Sequence, residues 1–299
     1  MEIFSKVNKN KNLSLALGYF DGVHRGHQAV IKKAAEYAKS YGTKSAVITF
    51  KDHPCCFFWG VCPKYILSRD ARRNKIAELG VDYLYELDFA ELSEYSAENY
   101  LQNVLVDNFS PIAISTGFNH HFGNNKSGTP EYLAANADKF GYKYFITEAE
   151  KYNGEIISST LIRKALSEGN IELANMMLGY KFTITGEVVQ GQQLGRKIGF
   201  RTANLKYPAE IIDLPFGAYA TKVSLNGKKY NAVTNFGIKP TVSDGKNCTL
   251  ESHILDFSED IYGEIISIEF NKMLRGEQKF NSVDELKTQI KKDIIEIYN

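Results

Sequence analysis

Two histidines three residues apart, His24 and His27, stand in the segment GYFDGVHRGH. At that spacing on a helix start, both imidazoles can face one ligand and donate hydrogen bonds to phosphate oxygens. Glycines at 18, 22 and 26 let the backbone come close to that ligand. Far downstream, Ser158, Ser159 and Thr160 precede Arg163 in ISSTLIR. Hydroxyls, helix-start N–H groups and a guanidinium together make a second phosphate cradle. A third group lies in GQQLGRKIGFRTANL, where Gly191, Gly195, Arg196 and Gly199 lead to Thr202 and Asn204. A hydroxyl and an amide after a glycine-rich turn can hold Mg²⁺ and phosphate oxygens. A carboxylate, Glu251, sits in LESHILDF. The chemistry the first three groups share is phosphate binding. Each group also has a plain structural alternative: solvated loop histidines or a metal pair, which needs a third ligand nearby; an ordinary serine cap with a solvated arginine; and a salt-bridged surface glutamate.

The elements that must position them follow from periodicity. Residues 13–19 form an apolar run of strand length, broken at Asp21-Gly22, and a helical pattern restarts at about Gly26 with Ala29, Val30, Ala34, Tyr37 and Ala38. Strand, glycine loop and helix leave unpaired N–H groups and a positive dipole end at the strand's carboxyl edge, where an anion fits. Further strands are expected at 44–50, 81–87, 112–116 and 144–149. Helices are expected from Ser68 to Leu79, from Ser96 to near Asn108, and from Thr129-Pro130 onward. Strands alternating with helices imply a parallel sheet with right-handed crossovers and a ligand crevice at the strands' carboxyl ends. Between the second strand and Ser68 runs KDHPCCFFWGVCPKY. It reads either as a loop packed on the core or as an aromatic wall for a planar ring, with Phe57 the leading contact.

Helical patterning stops after Gly179. Short β-like runs at 182–190, 219–225, 229–235, 249–256 and 265–270 then suggest a small antiparallel barrel, with Asn226-Gly227 a hairpin turn. Ser282 and Glu285 form a capping box for a terminal helix over 283–298. The expected division is therefore 1–179 and 180–299. In the fourth of those runs, around Glu251, alternation sets Glu251 and His253 on one face and Leu250, Ser252 and Ile254 on the other.

At 299 residues and 43% hydrophobic content the chain is long enough for two globular domains. A net charge of +1 argues against a broad nucleic-acid surface. The N-terminal apolar run is too short for a membrane span and shows no cleavage-site pattern. The four cysteines, Cys55, Cys56, Cys62 and Cys248, contain no C-x-x-C pair. Reduced thiols, no zinc site and a cytoplasmic location are the expectation.

The motifs resemble those of a known family. GYFDGVHRGH resembles the G-x-F-D-G-x-H-x-G-H signature of FAD synthetases, nucleotidyltransferases that move AMP from ATP onto a phosphorylated acceptor and release pyrophosphate. The resemblance implies nucleotide contacts at Gly18, Phe20, Asp21, Gly22 and Gly26 and catalytic roles for His24 and His27. TGFNHHFG resembles the second motif, G-x-N/D-F-x-F-G. Asn119 takes the nucleotide-binding position, and His120 and His121 stand where Phe and Arg are frequent. ISSTLIR resembles I-S-S-T-x-[IV]-R, implying binding by Ser159 and Thr160 and catalysis by Arg163. At 49–54 this chain has TFKDHP where the family often has T-F-D-P-H-P.

In the second half, GRKIGFRTAN resembles the riboflavin kinase signature G-R-x-x-G-F-P-T-A-N, with Arg201 in place of proline. It implies phosphate contacts at Gly191, Gly195 and Arg196 and a metal at Thr202 and Asn204. NFGIKPT resembles N-I-G-x-R-P-T. LESHILDF resembles L-E-x-H-x-x-D-F, which makes Glu251 the general base. MLRGEQKF resembles L-R-x-E-x-x-F, with Arg275 a flavin contact. Taken together, nearly the whole chain resembles the bacterial bifunctional riboflavin kinase/FMN adenylyltransferase (FAD synthetase) family. That implies a Rossmann-like N-terminal domain, a C-terminal kinase barrel, ATP, riboflavin and FMN as substrates, and Mg²⁺. A monomer or weak homo-oligomer without nucleic-acid or membrane partners is expected. The departures at Arg201 and His120-His121 leave open that only one activity is retained, and a non-catalytic flavin-binding regulator is the other alternative.

Overall fold

The structure is a computed structural model that describes residues 1–191, 195, 198–238 and 248–298. The chain divides into two compact units, Met1–Ser159 and Thr160–Asn299.

The first unit is a six-stranded parallel sheet. In chain order it holds β1 (Glu2–Phe4), β2 (Leu13–Leu17), α1 (Arg25–Ser40), β3 (Lys44–Phe50), α2 (Pro54–Trp59), α3 (Arg69–Ala77), β4 (Tyr83–Leu87), β5 (Ala113–Gly117) and β6 (Lys143–Thr147). The strand order is β1-β4-β3-β2-β5-β6. The chain runs outward one way from β2 and the other way from β5, so the topological switch lies between those neighbours. All five residues of β2 are buried, as expected of a strand covered on both faces. Leu13, Leu15 and Leu17 join Tyr85, Ile114, Leu101, Leu105 and Phe109 in one core. The alternate residues Ser14 and Ala16, with Ala113 and Ser115 beside them on β5, are small, and α1 settles close over β2, β3 and β5. It buries Val30, Ile31, Ala34 and Ala38.

Most expected elements are present with shifted ends. The helix expected from Ser96 runs from Ala97 to Phe109 but carries a π-helical stretch at Tyr100–Val106. Ser68, Ser96 and Thr129 each cap a helix with the side-chain oxygen. Strand β1 and the small hairpin β7 (Lys151–Tyr152) and β8 (Glu155–Ile156) were not expected. They are too short to show a period.

Two expectations are corrected at 51–65. This segment is not a core-packed loop. His53 caps α2 by accepting from the Cys55 N–H, Gly60 closes it at φ 66°, and Phe57, Phe58 and Trp59 are 50%, 62% and 74% exposed. The cysteines are not all reduced thiols, because Cys56 and Cys62 form a disulfide across the end of this helix, with Cys55 and Cys248 outside it. The helical turn brings together two residues whose spacing, C-x₅-C, matches no familiar pattern.

The second unit begins one residue into the helix Ser159–Ser167 and continues with the helix Ile171–Leu178. Six antiparallel strands follow: β9 (Thr183–Glu187), β10 (Ala203–Lys206), β11 (Gly217–Leu225), β12 (Lys228–Ile238), β13 (Cys248–Ile254) and β14 (Ile265–Gly276). Their order is β10-β13-β12-β11-β14-β9. A bridge between Val189 and Asn204 brings the two edges together, so the barrel is nearly closed. Asn226 and Gly227 form the expected two-residue turn with Leu225 opposite Lys228. Their φ of 48° and 76° suit a type I′ turn. Inside the barrel a line of buried hydroxyls, Thr221–Thr234–Ser252, is joined by hydrogen bonds of 2.7 and 2.8 Å. Helix Ile171–Leu178 packs on β14, and Asn175 pins it: its side chain donates to the Phe270 carbonyl and accepts from the Phe182 N–H. The terminal helix, Val283–Tyr298, starts as expected, with Ser282 accepting from the Glu285 N–H. Among the described residues no helix is long and apolar enough to cross a membrane.

Candidate functional site

In the first unit the glycine loop leaves the carboxyl end of β2 and enters α1. Phe20 adopts φ 59° and is buried. A side chain at Gly18 would strike its ring at 2.8 Å, so this glycine is what lets the ring turn under the loop. Asp21 and Gly22 lie in the buried turn Asp21–Val23. The Asp21 carboxylate accepts from the Ile66 N–H at 3.2 Å and so holds the next loop, while its carbonyl accepts from Ser159 Oγ at 2.9 Å. Gly26 sits in the first turn of α1.

His24 caps α1. Its Nδ1 accepts from the His27 N–H at 3.4 Å, which assigns the ring proton to Nε2. The two imidazoles stack with centroids 3.6 Å apart and planes 21° apart, and the Phe20 ring meets His27 edge-on at 5.3 Å. Burial pushes the His24 pKa down to about 4. Burial, then the neighbouring His24, pushes His27 well below the ordinary histidine value. Both rings are therefore neutral near pH 7, and His27 Nδ1 is buried with no hydrogen-bond partner. Neutral donors at a helix N-terminus can hold an anion without first being desolvated as cations.

The loop after β5 reaches the same sheet edge. It carries Asn119, which is exposed, and His120, whose pKa burial pushes down to about 4. Ser159 starts its helix as the last residue of the first unit. Thr160 and Arg163 continue that helix as part of the second unit. Phe57 lies exposed on α2, edge-on to Phe58 at 5.4 Å and to Phe89 at 5.7 Å.

In the second unit Gly191, Thr202 and Asn204 line one cavity of about 80 Å³, together with Arg201, Ser252, Glu259, Asp260 and Tyr262. Asn204 is buried and donates to the Thr202 carbonyl and hydroxyl at 3.2 and 3.4 Å. A side chain at Gly191 would meet Asn204 at 2.6 Å, so only glycine admits this amide. The donor set is a hydroxyl and an amide, hard oxygens suited to a divalent cation that also draws oxygens from a nucleotide. Gly195 accepts from the Phe200 N–H at 2.8 Å. Arg196, and Lys239 to Thr241 of the NFGIKPT motif, lie outside the described residues.

Glu251 is half-buried on the outward face of β13, and Leu250, Ser252 and Ile254 point inward. It stands opposite Asn204 on β10 and Asn235 on β12, so the three form one cross-strand row. Arg275 is committed elsewhere: its guanidinium forks onto the buried Asp293 of the terminal helix at 2.9–3.1 Å. The wall at 257–262 was missed by sequence reasoning, because acidic residues in a polar loop carry no signal of their own. The Arg72–Glu86 pair of the first unit was also missed, because its partners on α3 and β4 meet only in the folded sheet.

A parallel sheet with a buried histidine pair on its switch-point loop, and a separate small barrel with a Thr-x-Asn cavity, define a two-unit phosphate-transfer protein of the α/β plus β-barrel class. The family models agree. Residues 6–161 match FAD synthetase, and residues 178–299 match riboflavin kinase. Proteins named bifunctional riboflavin kinase/FMN adenylyltransferase are similar over most of their length. That of Listeria monocytogenes is 37% identical over 94% of this chain and 90% of its own, and that of Escherichia coli is 35% identical over 93% and 90%. A crystal structure described as a macrolide-efflux protein from Streptococcus pneumoniae superposes with a TM-score of 0.89 at 31% identity, covering 100% of this chain and 99% of that one. The chain belongs to the bifunctional riboflavin kinase/FMN adenylyltransferase family.

Proposed function

We propose that this enzyme makes FAD from riboflavin in two steps, one in each unit. The barrel unit phosphorylates riboflavin with ATP to give FMN. The first unit joins FMN to the AMP part of a second ATP and releases pyrophosphate. The observation that carries the second step is the stacked, neutral His24–His27 pair on the β2–α1 loop. In that step an FMN phosphate oxygen attacks the α-phosphorus of ATP. Negative charge gathers on the phosphoryl oxygens as pyrophosphate departs, and imidazole N–H groups at a helix N-terminus stabilise it. The glycine loop at Gly18, Gly22 and Gly26 gives the triphosphate room. Asn119 addresses the nucleotide, and Ser159, Thr160 and Arg163 form the second cradle. Phe57 offers its face to the isoalloxazine.

In the kinase step Thr202 and Asn204 would hold the divalent ion, which we take to be Mg²⁺ and which supplies charge neutralisation at the phosphates. Gly191 and Gly195 would line the phosphates, and the motif resemblance assigns Arg196 to them as well. Glu251 accepts the proton of the ribityl hydroxyl as that oxygen takes the γ-phosphoryl group. Arg275, held by Asp293, supports the flavin side by fixing the terminal helix. The enzyme works in the cytoplasm as a monomer or weak homo-oligomer, a setting where the Cys56–Cys62 pair would spend part of its time reduced. The kinase region corresponds to 180–299 and the adenylyltransferase region to 1–179. The test is chromatography of products from riboflavin, ATP and Mg²⁺: FMN appears first and FAD follows. FMN without FAD, or flavin bound without turnover, would reject the two-step reading.

A further inference from the structure

The start of α3 is unusual. Arg69, Arg72 and Arg73 crowd its first turns, where the helix dipole disfavours cations. All three guanidiniums converge on the carboxylate of Glu86, which is 1% exposed near the carboxyl end of β4. Arg69 Nε and Nη2 donate to one oxygen at 3.0 and 2.8 Å, Arg73 Nε and Nη2 donate to the same oxygen at 3.0 and 2.6 Å, and Arg72 Nη2 donates to the other at 3.3 Å. Burial raises the Glu86 pKa, but the bonds from Arg69 and Arg73 outweigh it and hold the carboxyl below its ordinary range.

Arg72 does more than pair with Glu86. It is 4% exposed, and the rest of its fork reaches backbone carbonyls. Nη1 donates to Tyr19 at 3.3 Å, and Nη2 donates to Phe50 at 3.0 Å and Lys51 at 3.4 Å. Tyr19 follows β2, Phe50 ends β3, and Glu86 belongs to β4. One guanidinium thus ties the carboxyl ends of three neighbouring strands, and it also lies over the Tyr19 ring at 4.8 Å. Thr49 adds a second bond to the Tyr19 carbonyl at 2.9 Å. Tyr19 sits between Gly18 and Phe20, at the root of the loop that carries His24 and His27. Arg72 Nε is buried without a partner, a cost that stability alone does not explain.

We infer that Arg72 is a positioning residue for adenylyl transfer, setting the root of the histidine loop against the ends of β3 and β4. This rests on the reading of the His24–His27 loop as the transfer site. Arg72→Lys keeps a charge beside Glu86 but cannot span acceptors at the ends of three strands. It should lower kcat for FAD formation from FMN and ATP by about tenfold or more while KM for ATP stays within about threefold, because misplacement costs rate before binding. Riboflavin phosphorylation by the same chain should be unchanged. Glu86→Gln keeps the volume and should lose kcat in the same direction, and it serves if Arg72→Lys does not fold. Leu105→Ala, a core truncation outside this network, controls for stability: assayed well below its melting temperature, it should keep kcat. Wild-type kcat in both network variants would overturn the proposal, as would an equal loss in Leu105→Ala at matched destabilisation. A wild-type enzyme that makes FMN but no FAD would instead reject the reading of the loop, and this inference with it.

Discussion

The imidazoles of His24 and His27 lie stacked 3.6 Å apart at the head of α1, with the His24 Nδ1 accepting the His27 N–H. Two protonated rings would repel at that distance, so the pair is built to work neutral.

Removing one ring should cost transition-state stabilisation and little else. His27→Ala is expected to lower FAD formation by about two orders of magnitude, the usual loss for one such donor. FMN formation should survive, since the barrel carries that step. Paired assays on one preparation check this; loss of both activities in a folded variant would contradict two separate sites.

Burial of the rings also fixes how stability varies with pH. Unfolded histidines titrate near 6.5, whereas burial pushes folded His24 and His120 down to about 4 and holds His27 well below its ordinary value. Between those values the unfolded chain binds more protons, so stability rises with pH across the window and is lost on acidification below about 6.5. The depressed Glu86 carboxyl adds a separate loss only as pH falls below the ordinary carboxylate range. Melting temperatures should hold from pH 7.5 to about 6.5 and fall from there down to 5. A flat profile would mean the rings are not buried as described.

Glu251→Gln keeps the shape of the side chain and loses the proton acceptor. Riboflavin phosphorylation should drop by roughly two to four orders of magnitude, with riboflavin and ATP binding little changed. A fully active variant would remove Glu251 from the mechanism.

Arg201 replaces a proline of the family motif, and its guanidinium donates to the Ser258 carbonyl at 3.0 Å, on the wall of the Thr202–Asn204 cavity. Arg201→Pro restores a stiff turn but releases that wall. KM for ATP should rise roughly threefold, the scale of one exposed hydrogen bond, with kcat held or improved. Steady-state kinetics at several ATP concentrations separate the two.

Asn175 predicts where the barrel unit can be cut. A fragment beginning at residue 160 keeps its bonds to Phe270 and Phe182 and should phosphorylate riboflavin alone. One beginning at 180 loses them and should melt lower. Equal melting temperatures would show that the helix contributes nothing to the barrel.

Much of this fold is legible in the sequence because it is written in short-range patterns. The apolar run of β2, the β-branched β3 and the Asn226-Gly227 turn each declare themselves within a few residues. Capping residues Ser68, Ser96 and Ser282 mark helix starts by local hydrogen bonding, which needs no tertiary partner. Strand β10 stayed hidden because four residues inside a glycine-rich motif show no period. The Cys56–Cys62 bond and the exposure of Trp59 depend on where α2 comes to rest, which no local pattern states. The site residues were visible as types and spacings. Arg72 was not: its role lies in carbonyls contributed by distant strands, and an arginine in RDARR reads as solvated charge.

The cross-strand row of Asn204, Glu251 and Asn235 sets a ruler inside the barrel wall. Neighbouring strands stand about 4.8 Å apart because backbone hydrogen bonds demand it, whatever side chains they carry. The spacing of the backbone positions that carry the amide and the carboxylate is therefore inherited from the peptide chain. What can change it is counting. One residue inserted into β13 ahead of Glu251 would turn the carboxylate into the barrel interior and bring a neighbour out in its place. Evolution can thus exchange almost any core residue of this barrel more cheaply than it can add a single residue to that strand.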